Sequence, residues 1–141
     1  MILKTSFENM NQKNTTMRKP ELIREENISI VYLDFSGLRN KAEILNQIEV
    51  FGKYIRSQPF KSIITLTNLE DMYFNTEIYN IFVKYVKENN PHVKASAVIG
   101  LKGLMQIFYR GFVTITGRNV CICNSKAEAI AALTRGVAVA V

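Results

Sequence analysis

Strand-type segments alternate with helix-type segments along this chain, and that alternation limits the possible folds more than any other sequence feature. Residues 28–35 form a β-branched and aromatic run of strand length, and residues 61–67, 92–99 and 119–123 also have the pattern of strands. Apolar residues recur three and four positions apart over about residues 40–57, 76–88, 101–116 and 125–135. Strands that alternate with helices across short connections form a mostly parallel sheet with right-handed crossovers. The pattern predicts an α/β fold, a four-turn β-α superhelix whose small, mostly parallel sheet is covered by helices.

Two helix starts carry a recognisable capping pattern. Asn40 with Glu43, and Ser125 with Glu128, have the spacing at which a capping side chain accepts a hydrogen bond from the backbone of the first turn. At the C-terminal end of the last helix, Gly136 is predicted to be the capping residue.

The chain divides into a lead-in, one domain and a short tail. Residues 1–27 are polar and rich in Asn, Thr and Lys, with room for an extra edge strand. Residues 28–135 contain the whole alternating pattern without a repeat or a linker, so we expect one domain there. Residues 136–141 form an apolar tail, which could pair along a sheet edge or with a second chain.

The formal net charge of +6 raises the question of nucleic acid binding. Residues 1–20 hold four basic residues against one acidic residue, so half of the excess lies in the lead-in. The remaining charge is ordinary for a domain of this size, and helices should cover the sheet, so we expect no nucleic acid partner. The chain has neither a signal-peptide core at its start nor an apolar run of transmembrane length. We therefore expect a cytoplasmic protein without stable membrane insertion.

Two cysteines, Cys121 and Cys123, lie two positions apart on a predicted strand. Their side chains share one face, and neighbouring side chains on one strand make a poor disulfide. The only histidine, His92, is far away in sequence, so one chain cannot supply the four ligands of a zinc site. We predict two reduced thiols, no metal and no cofactor.

Polar side chains gather after the predicted strands, where α/β sheets place their functional residues. The set comprises Asp34, Ser36, Asn68, Glu70, Asp71, Asn75 and Glu77. A nucleophile there would need a base beside it, yet His92 opens the third strand at the opposite end of the sheet. Asp34 and Ser36 could carry out acid–base chemistry, but satisfying the backbone of a turn is the simpler role. The set predicts a partner-binding face and no enzyme.

Asn75, Thr76 and Glu77 stand where the second helix begins. Simple capping of that helix is one interpretation. Phosphorylation of Thr76 is the other, and it would add about two negative charges beside Glu70, Asp71 and Glu77. Such a change would repel an acidic partner or attract a basic one.

The segment at residues 101–116 is unusually apolar for a helix that covers one face of a sheet. Its polar residues Lys102, Gln106, Arg110 and Thr114 are spaced by four and leave only one narrow solvent-facing stripe. Three interpretations stay open: a deeply packed helix, a self-association face, or a groove for an apolar ligand or a membrane surface. The candidate residues for the last two are Leu104, Phe108, Tyr109 and Phe112.

Several segments of the chain resemble a known bacterial family. They are Asp34-Phe-Ser-Gly-Leu, Asn68, Phe74-Asn75, Val93-Lys-Ala-Ser-Ala-Val-Ile-Gly-Leu-Lys-Gly-Leu, Thr116-Gly-Arg and Lys126-Ala-Glu-Ala-Ile-Ala-Ala-Leu. Over residues 28–135 the chain resembles small STAS-like proteins, relatives of the sporulation anti-sigma-factor antagonists that are grouped with lipid-binding CRAL-TRIO-like domains. The resemblance implies a STAS-like superhelix. In the antagonist branch, a phosphorylated serine occupies the place where this chain has Thr76.

The sequence features together predict a non-enzymatic regulatory or protein-interaction module of the STAS-like type. Its expected partners are another protein and a second copy of itself. The alternative is a binder of a lipid or of another apolar small molecule.

Overall fold

The computed structural model describes residues 17–117 and 120–140, with side chains as far as residue 136. Within these residues, five strands and four α-helices follow one another along the chain. The strands are β1 (Glu21–Glu25), β2 (Ile28–Asp34), β3 (Ile63–Asn68), β4 (Val93–Ile99) and β5 (Cys121–Cys123). The helices are α1 (Lys41–Arg56), α2 (Thr76–Asn89), α3 (Leu104–Thr116) and α4 (Lys126–Ala140), and a 3-10 turn at Asn90–His92 precedes β4.

The strands lie in the sheet in their chain order, from β1 at one edge to β5 at the other. β2 to β5 are parallel, and each is joined to the next by a helix. This order is the β-α superhelix that the sequence predicts, and the predicted α/β class is confirmed. β1 lies near the end of the lead-in and pairs antiparallel with β2. Residues 1–16 of the lead-in lie outside the described residues.

The sheet separates two apolar clusters because successive side chains of a strand point to opposite faces. Val31, Leu33 and Phe35 of the β2 segment pack in one cluster with buried residues of α1, α2 and α3. Ile30 and its neighbours on the other face pack against α4 through Ala129 and Leu133. Three helices therefore cover one face of the sheet, and α4 covers the other.

The two capping patterns predicted from the sequence are confirmed. Asn40 Oδ1 accepts a hydrogen bond of 3.0 Å from the backbone N–H of Glu43 at the start of α1. Ser125 Oγ accepts one of 3.1 Å from the N–H of Glu128 at the start of α4. These bonds satisfy N–H groups that a helix start would otherwise leave without an intrahelical partner.

The end of the chain differs from the prediction. Helix α4 continues through Gly136 to Ala140, so Gly136 does not end the helix. A single glycine costs a helix only about 1 kcal/mol relative to alanine, and the alanines around it favour the helix. The last residue, Val141, lies outside the described part of the chain.

Helix α3 also begins later than predicted. It starts at Leu104, because residues 100–103 form the turn that leads out of β4. Among the described residues, no helix combines the length and the apolar character needed to cross a membrane.

Candidate partner-binding face and apolar helix

The turns that follow β2, β3 and β4 meet at one end of the sheet, and backbone hydrogen bonds join them to one another. The N–H of Gly37 donates to the carbonyl of Glu70 at 2.9 Å, and the N–H of Tyr73 donates to the carbonyl of Leu38 at 2.8 Å. The N–H of Leu69 donates to the carbonyl of Ile99 at 2.9 Å. We call this surface the strand-end face: Asp34, Ser36, Asn68, Glu70, Asp71, Asn75, Thr76 and Glu77.

Asp34 is engaged in holding its own turn together. One carboxylate oxygen accepts a hydrogen bond of 2.9 Å from the backbone N–H of Ser36. The guanidinium of Arg18 lies 3.4 Å from the same oxygen and donates to the carbonyl of Asp34 at 2.9 Å. At the opposite end of the sheet, His92 Nδ1 lies 2.7 Å from the carbonyl oxygen of Gln58. Asp34 therefore has a structural role in the turn, and the only histidine is remote from it.

The loop after β3 presents two acidic side chains to solvent. Asn68 fixes this loop: its Oδ1 accepts from the N–H of Glu70 at 2.9 Å, and its Nδ2 donates to the hydroxyl of Tyr32 at 3.0 Å. Glu70 is exposed, and its carboxylate Oε2 lies 3.7 Å from Lys102 Nζ. Asp71 is also exposed and has a positive φ of 58°.

The start of α2 adds a hydroxyl and another exposed acidic group to the face. Asn75 caps the helix, because its Oδ1 accepts from the N–H of Ile78 at 2.9 Å. Thr76, the first residue of the helix, is exposed to solvent. Glu77 is exposed and forms an ion pair of 2.6 Å with Lys41 Nζ of α1. The capping interpretation is confirmed, and phosphorylation of Thr76 stays a prediction.

The third helix is not deeply packed, so that interpretation of its apolar sequence is wrong. Of its thirteen residues, only Met105 and Thr116 are buried. Ile107 is 73% exposed, Ile115 49% and Leu104 46%. We call these three residues the α3 stripe. Part of the apolar surplus seen in the sequence is therefore exposed at the surface.

The other apolar candidates on α3 turn inward. The ring of Phe108 lies 5.8 Å from that of Phe74 and 4.7 Å from that of Tyr79, measured between centroids. Tyr109 donates its hydroxyl to the carbonyl of Val120 at 3.0 Å. Phe112 packs beside the cluster formed with α1 and α2. Of the four predicted candidates, Leu104 is thus on the outer surface and the three aromatic residues are half-buried.

Beneath α3, between that helix, α2 and β4, lies an apolar cavity of about 110 Å³. Phe108, Tyr109 and Phe112 line it, together with Phe82 of α2 and Val98 of β4. It is smaller than the roughly 300 Å³ at which pockets begin to hold drug-sized ligands. The cavity therefore suits a compact apolar molecule better than a whole lipid.

Comparison with known proteins supports the fold through a solved structure. No protein-family model and no curated protein matches this chain. The fold is similar to the structure of an anti-sigma-factor antagonist (STAS) domain protein from Planctomyces limnophilus, with a TM-score of 0.55 and 16% sequence identity. The match covers 83% of this chain and 99% of that one.

The chain has the STAS fold. The resemblance noted in the sequence is thus confirmed at the level of the fold. At 16% identity the likeness carries the arrangement of strands and helices and does not extend to individual site residues.

The STAS-fold chain has a basic segment that a charge sum over the whole domain does not reveal. Residues 89–127 contain five basic residues and no acidic residue. Two of the five, Lys102 and Arg110, are exposed on or just before α3. A charge sum over windows of about twenty residues finds this run, and it places Lys102 and Arg110 near the α3 stripe.

The two cysteines of this STAS-fold chain differ in exposure and are both free thiols. Cys121 is exposed, whereas Cys123 is buried beneath α4. Burial, together with the neighbouring Cys121 thiol, raises the pKa of Cys123 to about 11. Because the thiolate is the reactive form, the buried thiol should react with reagents from solution more slowly than the exposed one at neutral pH.

Alkylation tests that difference. At pH 7.5 we expect iodoacetamide to modify Cys121 at least tenfold faster than Cys123, because burial restricts access to Cys123 and its raised pKa lowers its thiolate content. Intact mass spectrometry of Cys121→Ser, which keeps only the buried thiol, should show slow alkylation that accelerates as the pH rises toward 10. The opposite ranking, with Cys121→Ser alkylated as fast as Cys123→Ser, would contradict the assignment.

Proposed function

We propose that this STAS-fold chain is a non-enzymatic regulatory module that binds a protein partner through the strand-end face. The observation that carries the proposal is the bonded frame of three turns beneath that face. The frame holds exposed Glu70, Asp71 and Glu77 on one surface, and a fixed arrangement of charges favours recognition of one partner over others. Two free thiols fit a reducing compartment such as the cytoplasm.

The side chains of the face support binding rather than chemistry. Asp34 bonds to the backbone of Ser36, and Asn68 and Asn75 use their amide oxygens on backbone N–H groups. These hydrogen bonds give Asp34, Asn68 and Asn75 a structural role in their turns. A nucleophile assisted by a base would need a different arrangement, with the base within hydrogen-bond reach of the nucleophile.

The charge of the face favours a partner with a basic surface. Lys102 and Lys41 each lie beside one of its acidic groups and would compete with such a partner. A phosphate on Thr76 would add negative charge next to Glu77, so modification should strengthen binding of a basic partner. Thr76 is exposed at the start of α2, which leaves its hydroxyl accessible to a kinase.

Charge reversal on the face tests this proposal. A protein partner identified by co-purification should bind the purified Asp71→Lys/Glu77→Lys variant at least tenfold more weakly than it binds the unaltered chain. Glu49→Lys is the matched control, because Glu49 is an exposed acidic residue of α1 outside the face. Titration calorimetry of the three proteins measures the affinities. Equal loss in the control, or no loss in the double variant, would place the partner elsewhere.

We further infer that the α3 stripe is the surface through which two copies associate. It exposes three aliphatic side chains along one side of α3, and burying such surface is favourable. Exposed Lys102 and Arg110 oppose a contact between identical faces, so association should strengthen with salt, which screens like charges.

Sedimentation velocity at about 100 μM protein in low and high salt measures this self-association. Ile107→Lys should abolish the dimer, and a monomer under all conditions would exclude self-association.

The cavity beneath α3 favours a second candidate function, the binding of a compact apolar molecule. Seven of the seventeen residues that line it are aromatic, and Tyr109 and Ser96 are among the lining residues that carry hydroxyl groups. Native mass spectrometry of the freshly purified chain should then find a bound molecule. Val98→Phe, which fills the cavity, should remove that molecule while the circular dichroism spectrum stays unchanged. If neither the unaltered chain nor the Val98→Phe variant carries a bound molecule, the ligand-binding function is excluded.

A further inference from the structure

The two thiols of β5 form a pair that the proposed function does not use. Cys121 and Cys123 point to the same face of the strand, with their sulfur atoms 3.6 Å apart. Among the described residues, β5 is the edge strand at one side of the sheet and pairs with β4 alone. Cys121 is exposed and Cys123 is 5% exposed, so an incoming reagent meets Cys121 first.

The spacing of the sulfur atoms favours bridging by a third atom over a disulfide. A disulfide would require them to approach to about 2.05 Å between residues whose Cα atoms stand near the upper limit of its range. By contrast, two sulfur atoms 3.6 Å apart, each bonded at about 2.3 Å to one centre, subtend an angle of about 100° there. Such an angle is natural for a pyramidal or tetrahedral centre.

The surroundings narrow down the kind of centre. Within the described residues, no group of three or more His, Cys, Asp or Glu side chains could hold a metal ion. Cys123 lies among the apolar side chains of Ile99, Ala129 and Leu133. Hard cations need several oxygen ligands, which these surroundings do not offer. A soft atom that is satisfied by two sulfur ligands fits the pair. Two-coordinate copper(I) favours sulfur atoms on opposite sides of the metal, which this spacing does not provide.

We propose that Cys121 and Cys123 form a dithiol site for a trivalent organoarsenical. Its arsenic atom carries one organic group and binds sulfur strongly, so two thiolate sulfur atoms complete its three bonds. The reaction is a condensation: R–As=O and two S–H groups give R–As(S)₂ and one water. Two As–S bonds form, both thiol protons leave with the arsenic oxygen, and no atom is oxidised or reduced. Attack by exposed Cys121 comes first, and the nearby sulfur of Cys123 then closes the ring.

Phenylarsine oxide tests the site on the reduced full-length chain. After addition of a large excess of glutathione, a monothiol, intact mass spectrometry should still find one phenylarsenic group per chain. Cys121→Ser and Cys123→Ser should each lose it, with retention at least about 100-fold weaker, because closure onto a second thiol of the same chain is intramolecular. Dithiothreitol, a dithiol, should remove the group from the unaltered chain.

Two outcomes would overturn the proposal. One is loss of the arsenical from the unaltered chain at the same glutathione concentration that strips Cys121→Ser. The other is full retention by Cys121→Ser, which would assign binding to a single thiol. Cys121 is exposed, so its replacement should leave the fold intact, and the test stands even where Cys123→Ser unfolds. Ala127→Ser, an exposed change near the pair, controls for an added hydroxyl.

Discussion

Replacing Phe35 with alanine should destabilise the protein by about 3–5 kcal/mol, the range measured for large-to-small changes at buried aromatic positions. Phe35 is fully buried at the end of β2. Its ring meets those of Phe51 and Phe82, both with centroids 5.1 Å away, in edge-to-face contacts. Alanine would leave a cavity between the sheet, α1 and α2, and small domains have only about 5–15 kcal/mol of stability to lose.

Urea denaturation followed by circular dichroism measures this loss. Phe60→Ala is the matched control, because Phe60 is 74% exposed and, among the described aromatic residues, its ring contacts that of His92 alone, with centroids 5.1 Å apart. We expect the control to lose less than about 1 kcal/mol. Comparable losses in the two variants would mean that Phe35 is not the centre of the core.

The fold could be predicted from the sequence because local signals agree with one another. The run at β2 is apolar on both faces, as a strand between two helical layers requires. Asn40 and Ser125 mark helix starts through bonds that depend only on residues three positions away. Such signals are local, so spacing along the chain is enough to find them.

The packing of α3 could not be predicted in the same way. Its sequence has enough apolar residues for a buried helix, yet the sheet and α2 cover only one side of it, and Ile107 stays exposed. How much of a helix is covered depends on neighbours that are distant in sequence. The cavity beneath α3 has the same origin, because a void arises where side chains of separate elements fail to meet.

The members of the strand-end face were found by sequence because the ends of parallel strands meet at one edge of a sheet. The contacts that fix them were not found. Arg18, which pairs with Asp34, lies in the lead-in, and Lys41, which pairs with Glu77, opens α1. No periodicity in the sequence connects residues so far apart.

Gly100→Ala should be more damaging than any other small substitution near the strand-end face. Gly100 has a φ of +91°, a conformation that L-residues rarely adopt. A Cβ atom there would lie 2.4 Å from the backbone nitrogen of Glu70 and 2.7 Å from its Cα. Backbone atoms cannot rotate away as a flexible side chain can, so the loop after β3 must move.

Gly37→Ala separates backbone strain from this clash. Gly37 also has a positive φ, +73°, but an added Cβ would meet nothing within 4 Å. We expect it to cost about 1–2 kcal/mol from strain alone. Gly100→Ala should cost a further 1–3 kcal/mol, roughly the penalty of overpacking. Urea denaturation of both variants gives the difference, and equal costs would mean that the loop yields freely.

The same pair of variants connects the fold to the proposed function. The backbone that Gly100 touches is held by the bond from Leu69 to Ile99, and the carbonyl of Glu70 accepts the N–H of Gly37. Displacing that backbone moves Glu70 and Asp71 while leaving their charges unchanged. If a fixed arrangement of charges is what a partner recognises, Gly100→Ala should weaken partner binding at a temperature where the variant is still folded. Gly37→Ala, with its open surroundings, should weaken it much less.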